Sequence, residues 1–179
     1  RENNIGTYSL SSGESTGKRS NSVDPTMNFE FSDEQNQLRD HAQRFLTECC
    51  SLETVRAVLD APDTAYDADL WRGMAELGWT GVTIPEQYGG SGLGHLELCV
   101  LAEELGRSLA PAPFSTSVYL ATEALLRFGS TEQQERYLPG LATGELIGTV
   151  AIAEGRGAST PRKLKVASAG NKLSGEKWP

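Results

Sequence analysis

The sequence predicts a mainly α-helical fold: an antiparallel bundle of about six helices over residues 27–146, followed by the first strands of a truncated β-barrel-like domain over 147–179. Through the first range, apolar residues recur at helical spacing between capping residues and glycines. The charge changes near the end of that range. Residues 27–154 hold seven arginines, no lysine and twenty acidic residues, whereas 155–179 hold six basic residues and one acidic residue. We therefore expect a domain boundary in this stretch.

The overall composition excludes several classes of protein. The 179 residues carry a net charge of −8 and are 38 % hydrophobic, which indicates a globular protein rather than a disordered polyelectrolyte. No stretch approaches the roughly 20 apolar residues of a membrane span, and the acidic excess argues against nucleic acid binding. The three cysteines make no disulfide framework, which predicts a reducing, cytoplasmic location.

Residues 1–26 are rich in serine, glycine and asparagine and contain little that could be buried. A segment of this kind cannot offset the entropy of ordering. We expect a disordered tail or an expression remnant, because the chain opens with arginine and its first methionine is Met27. A disordered tail with a function of its own is the alternative.

The first three helices are marked by their N-terminal residues. Ser32 and Gln35 have the spacing of a capping box, and Asp67 can cap a third helix that ends at Gly78. A short helix between these two is expected to stop before Pro62. The apolar positions expected to face the core are Leu38, Ala42, Phe45, Leu46, Cys49, Leu52, Val55, Val58, Leu59, Leu70, Trp71, Met74 and Leu77.

A glycine-rich loop follows from Trp79 to Gly94, with five glycines and one proline. It lacks the Lys and Ser or Thr of a Walker phosphate loop, and no βαβ unit surrounds it. We interpret it as a packed turn between helices rather than as a nucleotide-phosphate loop.

Three more helices are expected in the second half of the bundle. The first covers His95–Leu105, and the second begins after the break at Ala110–Pro113 with Ser115 as its cap. Ser130 and Gln133 have the spacing of a second capping box, which opens the last helix. The expected ends are Gly106, Gly129 and Leu138–Pro139, and the apolar positions are Leu96, Leu98, Cys99, Val100, Leu101, Leu105, Val118, Ala121, Leu125 and Phe128.

Short strands are predicted beyond the bundle. Ile147–Ala153 is rich in β-branched residues, and Lys163–Ser168 alternates apolar residues with lysines. Ala169–Asn171 is expected to be a turn, and Lys172–Trp178 begins another strand, so the last two strands should form a hairpin. Three strands do not make a stable sheet alone, and we therefore expect the chain to stop inside a β domain.

Four motifs, in this order and spacing, resemble the acyl-CoA dehydrogenase family: FSDEQNQL, AELGWTGVTIPEQYGGSGLG, LAEELGRSLAP and GSTEQQERYLPGLATGE. The resemblance extends from Phe29 to about Lys177. It implies the N-terminal helical domain of that family over residues 27–146 and the beginning of its middle β domain over 147–179.

The resemblance implies FAD-dependent α,β-dehydrogenation of an acyl-CoA thioester, with electrons passing to an electron-transfer flavoprotein. In ordinary members the catalytic glutamate lies in the C-terminal helical domain. We therefore assign no catalytic base here and expect the chain by itself to be inactive. Members of the family are usually oligomers, so a homo- or hetero-oligomer is expected.

The resemblance also implies flavin contacts at three positions. The backbone of Ile152 and Ala153 is expected to meet the isoalloxazine edge, although the family usually has a threonine where this chain has Ala153. Ser159 corresponds to a serine that bonds the cofactor phosphates, and Thr160 replaces the aspartate after it. The stacking tryptophan of the family falls next to Trp178. These departures resemble a divergent branch that pairs two unlike subunits.

The fifth helix of the family runs along the acyl tail. Matching back from GSTEQQ places Thr116, Ser117 and Leu120 near the substrate pocket, with Phe114 near its floor. Simple helix packing is the alternative for these residues. The small side chains at 115–117 would leave room for a bulky acyl group.

Other functions stay open on the sequence. The chain could belong to a non-catalytic partner subunit of a heteromeric dehydrogenase. It could also belong to another flavin enzyme of this fold, such as an acyl-CoA oxidase or a monooxygenase. A purely structural helical bundle is the remaining alternative, and bound flavin would argue against it.

Overall fold

A computed structural model describes residues 30–155, 164–170 and 172–178. Within these residues there are six α-helices, one π-helical segment, two 3₁₀ turns and two strands. The helices are α1 (Asp33–Cys49), α2 (Leu52–Asp60), α3 (Ala68–Glu76), α4 (His95–Arg107), α5 (Glu123–Phe128) and α6 (Thr131–Ala142); the strands are β1 (Ala167–Ala169) and β2 (Lys172–Ser174). The predicted mainly helical fold is confirmed.

The helix caps form as the sequence predicts. Gln35 N donates to Ser32 Oγ at 3.2 Å while Ser32 N donates to Gln35 Oε1 at 3.0 Å, so both halves of the first capping box are present. The same reciprocal pair joins Ser130 and Gln133. The Asp67 carboxylate accepts from two N–H groups of the first turn of α3. Three predicted helix starts are thereby confirmed.

The main core lies where α1 packs against α4. Ala42 and Leu46 from α1 and Leu101 from α4 are fully buried, and the ring of Phe45 meets the ring of Trp79 edge-on at 5.3 Å between centroids. The other buried members of this cluster are Cys50, Val55, Leu70, Trp71, Met74, Val82, Leu98, Leu105, Phe114 and Val118. Burial of this apolar surface is the main source of the bundle's stability.

The glycine-rich loop packs between helices, as predicted. It contains the 3₁₀ turns Trp79–Gly81 and Glu86–Tyr88, and the fully buried Ile84 joins residues of α6 in a second apolar cluster. A Cβ at Gly90 would overlap the carbonyl oxygen of Ile84, so only glycine fits there.

Two expected helix boundaries are wrong. Ser115 makes no capping hydrogen bond, because the backbone is already helical at Phe114 and a π-helical segment, Ser115–Thr122, runs on directly into α5. The last helix does not stop at Pro139 but continues to Ala142. The burial of Leu141 and Ala142 outweighs the local cost of a proline inside the helix.

Several apolar side chains predicted to face the core are exposed. Periodicity shows which residues share a face of a helix, but another element must cover that face before it is buried. The exposed fractions are 61 % for Leu52, 77 % for Leu59, 52 % for Leu77, 61 % for Leu96 and 85 % for Phe128, and Cys49 and Cys99 are exposed as well.

The predicted hairpin forms, but its strands are shorter than the sequence predicts. Ala167–Ala169 pairs antiparallel with Lys172–Ser174, and Gly170 takes a left-handed φ of 59° in the turn. The strand expected over Ile147–Ala153 is wrong: these residues form no ladder with any described residue. A strand needs a partner for its backbone groups, and the described residues offer this segment none.

Candidate functional site

A mostly apolar cleft with a volume of about 550 Å³ is formed by described residues. It lies between α5, α6 and the segment that follows α6. Its walls are formed by Ala121, Ala124, Leu125, Phe128, Gly129, Gln133, Tyr137, Leu141, Leu146, Ile147, Gly148, Thr149 and Val150. A concave apolar site of this size is what an organic ligand or a protein segment requires.

The wall after α6 is held against the helices by two hydrogen bonds and by close packing at two glycines. Leu146 N donates to the Gly140 carbonyl oxygen at 2.9 Å, and Gly148 N donates to Ser117 Oγ at 3.3 Å. A Cβ at Gly148 would overlap the Cβ of Ala121, and one at Gly140 would lie 2.7 Å from Leu146 Cδ1. Glycines at both positions therefore let the wall approach the helices.

The π-helical segment, Ser115–Thr122, supports this arrangement. Its inward side is formed by Ser117, Val118, Ala121 and Thr122, all buried. The wider turn of a π-helix shifts which side chains face inward, and such turns often occur at functional sites. The segment thus supplies both the hydroxyl that holds Gly148 and the small side chain that it packs against.

The structure does not bring the four predicted substrate residues together. Phe114 is buried edge-on to Tyr119 at 5.5 Å between centroids and lines a smaller cavity of about 270 Å³. Thr116 donates to the Pro113 carbonyl oxygen, and Leu120 is 46 % exposed. Ser117 is buried and supports the large cleft, but none of the four is among the described residues that line it.

The residues that sequence reasoning missed are those that line the cleft. Ala121 and Leu125 were expected only as packing residues, and Tyr137 and Leu141 not at all as site residues. A usable signal was present in Gly140 and Gly148, since glycines on either side of a helix end allow a close approach of two backbones.

The segment after the cleft, residues 151–155, is tied to the hairpin and its flanking residues, whose first arm is residues 164–169 and whose second arm is residues 172–178. Ala153 O accepts from Trp178 N at 2.9 Å, and Ile152 O accepts from Lys177 Nζ at 3.4 Å. The N–H groups of Ile152 and Ala153 donate to no acceptor among the described residues. Ser159, the third predicted cofactor residue, lies outside the described residues.

Glu154 has the strongest electrostatic environment of this segment. Its carboxylate accepts hydrogen bonds from the N–H groups of Lys165 and Val166 and from Lys177 Nζ, the last at 2.7 Å. The hydrogen bond from Lys177 and then that from Lys165 N lower the pKa of Glu154 to about 2. At neutral pH this carboxylate is ionised and too weakly basic for general base catalysis.

One carboxylate of the bundle is buried. The side chain of Glu104 is 1 % exposed, and its oxygens lie 3.2 Å from Arg107 Nε and 3.9 Å from Arg39 Nε. Gln43 Nε2 donates to it at 3.2 Å. The cluster ties α1 to α4 and is a structural feature of the bundle.

Tyr119 beside the smaller cavity does not act as an acid or base at neutral pH. Burial, followed by the electrostatic effect of the Cys99 side chain, raises the pKa of Tyr119 to about 12. Among the described residues, no group of three or more His, Cys, Asp or Glu side chains could hold a metal ion. No helix of the described part is both long and apolar enough to cross a membrane.

Comparison with known proteins gives consistent matches. Residues 32–145 match the family model described as acyl-CoA dehydrogenase, N-terminal domain. Mitochondrial isovaleryl-CoA dehydrogenase from Pongo abelii is 36 % identical over 155 residues, which are 83 % of this chain and 36 % of that protein. The chain therefore spans little more than a third of the length of this relative.

Two solved structures share the fold over most of the chain. The ChsE4–ChsE5 complex from Mycobacterium tuberculosis matches with a TM-score of 0.70 and 31 % identity, covering 82 % of this chain and 39 % of that chain. A structure described as the electron transferring flavoprotein of Acidaminococcus fermentans matches with a TM-score of 0.68 and 27 % identity, covering 82 % and 39 % of the two chains.

Proposed function

This chain belongs to the acyl-CoA dehydrogenase family, and on that premise we propose that it is the N-terminal portion of a FAD-dependent acyl-CoA dehydrogenase. The reaction is α,β-dehydrogenation of an acyl-CoA thioester, with electrons passed to an electron-transfer flavoprotein. The observation that carries the proposal is the match of residues 32–145 to the N-terminal domain of the family.

The fit to FAD rests on the segment that leaves the cleft. The N–H groups of Ile152 and Ala153 donate to no acceptor among the described residues. The exposed Trp178 lies next to them, because its N–H donates to Ala153 O. The chemistry that FAD supplies is acceptance of the β-hydride. In this chain the backbone at 152–153 would orient the flavin edge, and Ser159 would contact its phosphates.

Substrate binding by Phe114, Thr116, Ser117 and Leu120 stays a prediction. Support comes from the chain order of the family and from the small cavity beside Phe114. If the tail contacts Leu120, Leu120→Phe should raise KM for a long acyl-CoA with little change in kcat. Leu59→Phe, which alters another exposed leucine, on α2, is the control.

Flavin content is the direct test of the proposed function. We expect the purified protein to carry FAD, detected by the visible absorbance of oxidised flavin. Adding acyl-CoA in the absence of oxygen should bleach the flavin absorbance, provided that the protein tested also contains the catalytic base. Failure to bind FAD at saturating concentration would overturn the proposal.

A second candidate is a non-catalytic subunit of a heteromeric dehydrogenase. It is favoured by Ala153, which lacks the hydroxyl that the family usually places against the flavin, and by the likeness to a complex of two proteins, ChsE4 and ChsE5. In that case the isolated protein would bind little FAD, and flavin would appear only after mixing with the partner subunit.

The remaining features of the proposal concern partners and location. An electron-transfer flavoprotein as acceptor is supported by the likeness to the structure from Acidaminococcus fermentans. A homo- or hetero-oligomer is supported by the likeness to the ChsE4–ChsE5 complex. A cytoplasmic location is supported by the free thiols of Cys49, Cys50 and Cys99. Sedimentation of the purified protein with and without the flavoprotein tests the first two.

A further inference from the structure

The segment 151–155 has no strand partner among the described residues, yet it holds a defined position against the hairpin arms. The arms approach each other closely at Gly175, where φ is 145°. A Cβ at this position would lie 2.5 Å from Val166 Cγ2. Among the described residues, two hydrogen bonds to its backbone oxygens join the segment to the second arm, one from Trp178 N and one from Lys177 Nζ. The other hydrogen bonds that tie this segment to the arms, within the described part of the chain, come from one side chain.

That side chain is Glu154. It is 7 % exposed and accepts from both arms at once: from the N–H groups of Lys165 and Val166 on the first arm and from Lys177 Nζ on the second. Hydrogen bonds to an ionised acceptor are about twice as strong as neutral ones. We call Glu154, Lys165, Val166 and Lys177 the Glu154 cluster.

We propose that Glu154 is a positioning residue, which fixes the backbone of Ile152 and Ala153 for contact with the flavin. This inference rests on the proposed function, since that function places the flavin edge at 152–153. The residue acts through the backbone that precedes it and touches no reacting atom. Because Ala153 has no hydroxyl, the flavin contact at this position depends on the backbone alone. That contact is therefore more sensitive to the exact position of the backbone.

The chemistry of the cluster agrees with a structural anion rather than a proton carrier. All the donors that reach Glu154 stabilise its charged form. Glutamine at this position keeps one acceptor oxygen but loses the charge and the second acceptor. Glu154→Gln should therefore loosen both arms while it preserves the size of the side chain.

The experiment compares Glu154→Gln with a matched control, Glu176→Gln, which changes an exposed glutamate on the second arm. Two quantities are measured on the purified protein: hydrogen exchange at the N–H groups of Lys165 and Val166, and the dissociation constant of FAD from flavin fluorescence. We expect Glu154→Gln to speed exchange at both amides about tenfold and to weaken FAD about tenfold, as loss of supporting contacts does at other sites. The control should change neither.

A second pair of variants keeps the proposal testable if Glu154→Gln folds poorly. Lys177→Met removes the ammonium and leaves the two backbone donors to Glu154, so FAD should weaken by less than in Glu154→Gln. Lys177→Arg should restore the affinity. In a double-mutant cycle the two losses should be less than additive, because both act through one cluster.

The outcomes separate the two proposals. If the unaltered protein binds no FAD, the proposed function fails and this inference fails with it. If the unaltered protein binds FAD and Glu154→Gln binds it equally well while its amides exchange faster, only the positioning role is overturned. Unchanged exchange at Lys165 and Val166 would overturn the inference as well, because the cluster would then not hold the arms.

Discussion

The helical bundle and the segment after α6 are held together in different ways. In the bundle, local caps start the helices and a continuous apolar core, with Leu46 and Leu101 fully buried, joins them. After α6, few side chains are buried, and position depends on glycines that allow close approach and on single polar contacts such as those of Glu154. Where little apolar surface is buried, individual hydrogen bonds decide the conformation.

The largest effect is expected from a core leucine of the bundle. Leu101→Ala removes a fully buried side chain and should lower the free energy of unfolding by about 3 kcal/mol. Leu173→Ala, in the hairpin, changes a leucine that is 77 % exposed and should cost less than about 0.5 kcal/mol. Urea unfolding followed by helical circular dichroism measures both. Equal losses would contradict the contrast between the two regions.

The next effect concerns the buried carboxylate between α1 and α4. Glu104→Gln removes the negative charge that Arg39 and Arg107 share, and we expect the free energy of unfolding to fall by about 2 kcal/mol, since both arginines keep some contact with water. Glu103→Gln is the neighbouring control: that side chain is 57 % exposed in its pair with Arg39, and about 0.5 kcal/mol or less is expected. Equal losses in the two variants would show that burial of the charge is unimportant.

A smaller loss is expected where the cleft wall meets the π-helical segment. Gly148→Ala introduces a Cβ that overlaps Ala121 and should lower the free energy of unfolding by about 1–2 kcal/mol. Hydrogen exchange should be faster at the N–H of Leu146, which donates to Gly140 O. Gly106→Ala on α4 is the control, because nothing lies within 4 Å of the new Cβ and helix propensity improves by up to about 1 kcal/mol. Thermal unfolding and hydrogen exchange together check this prediction.

The hairpin arms should respond to acid at an unusual pH. Because the pKa of Glu154 is lowered from 4.5 to about 2, its stabilising effect is fully present above pH 4.5 and is lost as the pH falls toward 2. The N–H resonance of Val166, followed by NMR, should titrate with a midpoint near pH 2. The titration should vanish in Glu154→Gln and persist in Glu176→Gln. A midpoint near 4.5 would show that the cluster is not formed.

The smallest effect is expected at Thr122. Its hydroxyl is fully buried and has no hydrogen-bond partner among the described residues. Thr122→Val keeps the shape and removes the unpaired oxygen, so stability should change by no more than about 0.5 kcal/mol or rise slightly. Thr80→Val is the contrast, since Thr80 Oγ1 donates to Ala142 O at 2.6 Å and its loss leaves that oxygen unpaired. A larger loss at Thr122 than at Thr80 would contradict this.

Much of the bundle was determined by the sequence alone. Ser32 with Gln35, Ser130 with Gln133 and the Asp67 carboxylate supply local hydrogen bonds that do not depend on distant residues, and each cap lies where the sequence predicts it. The hairpin turn at Gly170 is equally local. The four motifs predicted the family and its N-terminal helical domain, and the match over 32–145 agrees with them.

The tertiary structure alone decided which predicted faces are buried and where the cleft lies. Leu46 and Leu59 follow the same periodicity, yet one is buried and the other is 77 % exposed, because burial requires a second element opposite the side chain. The same reason governs Ile147–Ala153, which has the composition of a strand but finds no ladder partner among the described residues. The contacts of Glu154 join residues more than ten positions apart in the chain, and no local pattern specifies such a separation.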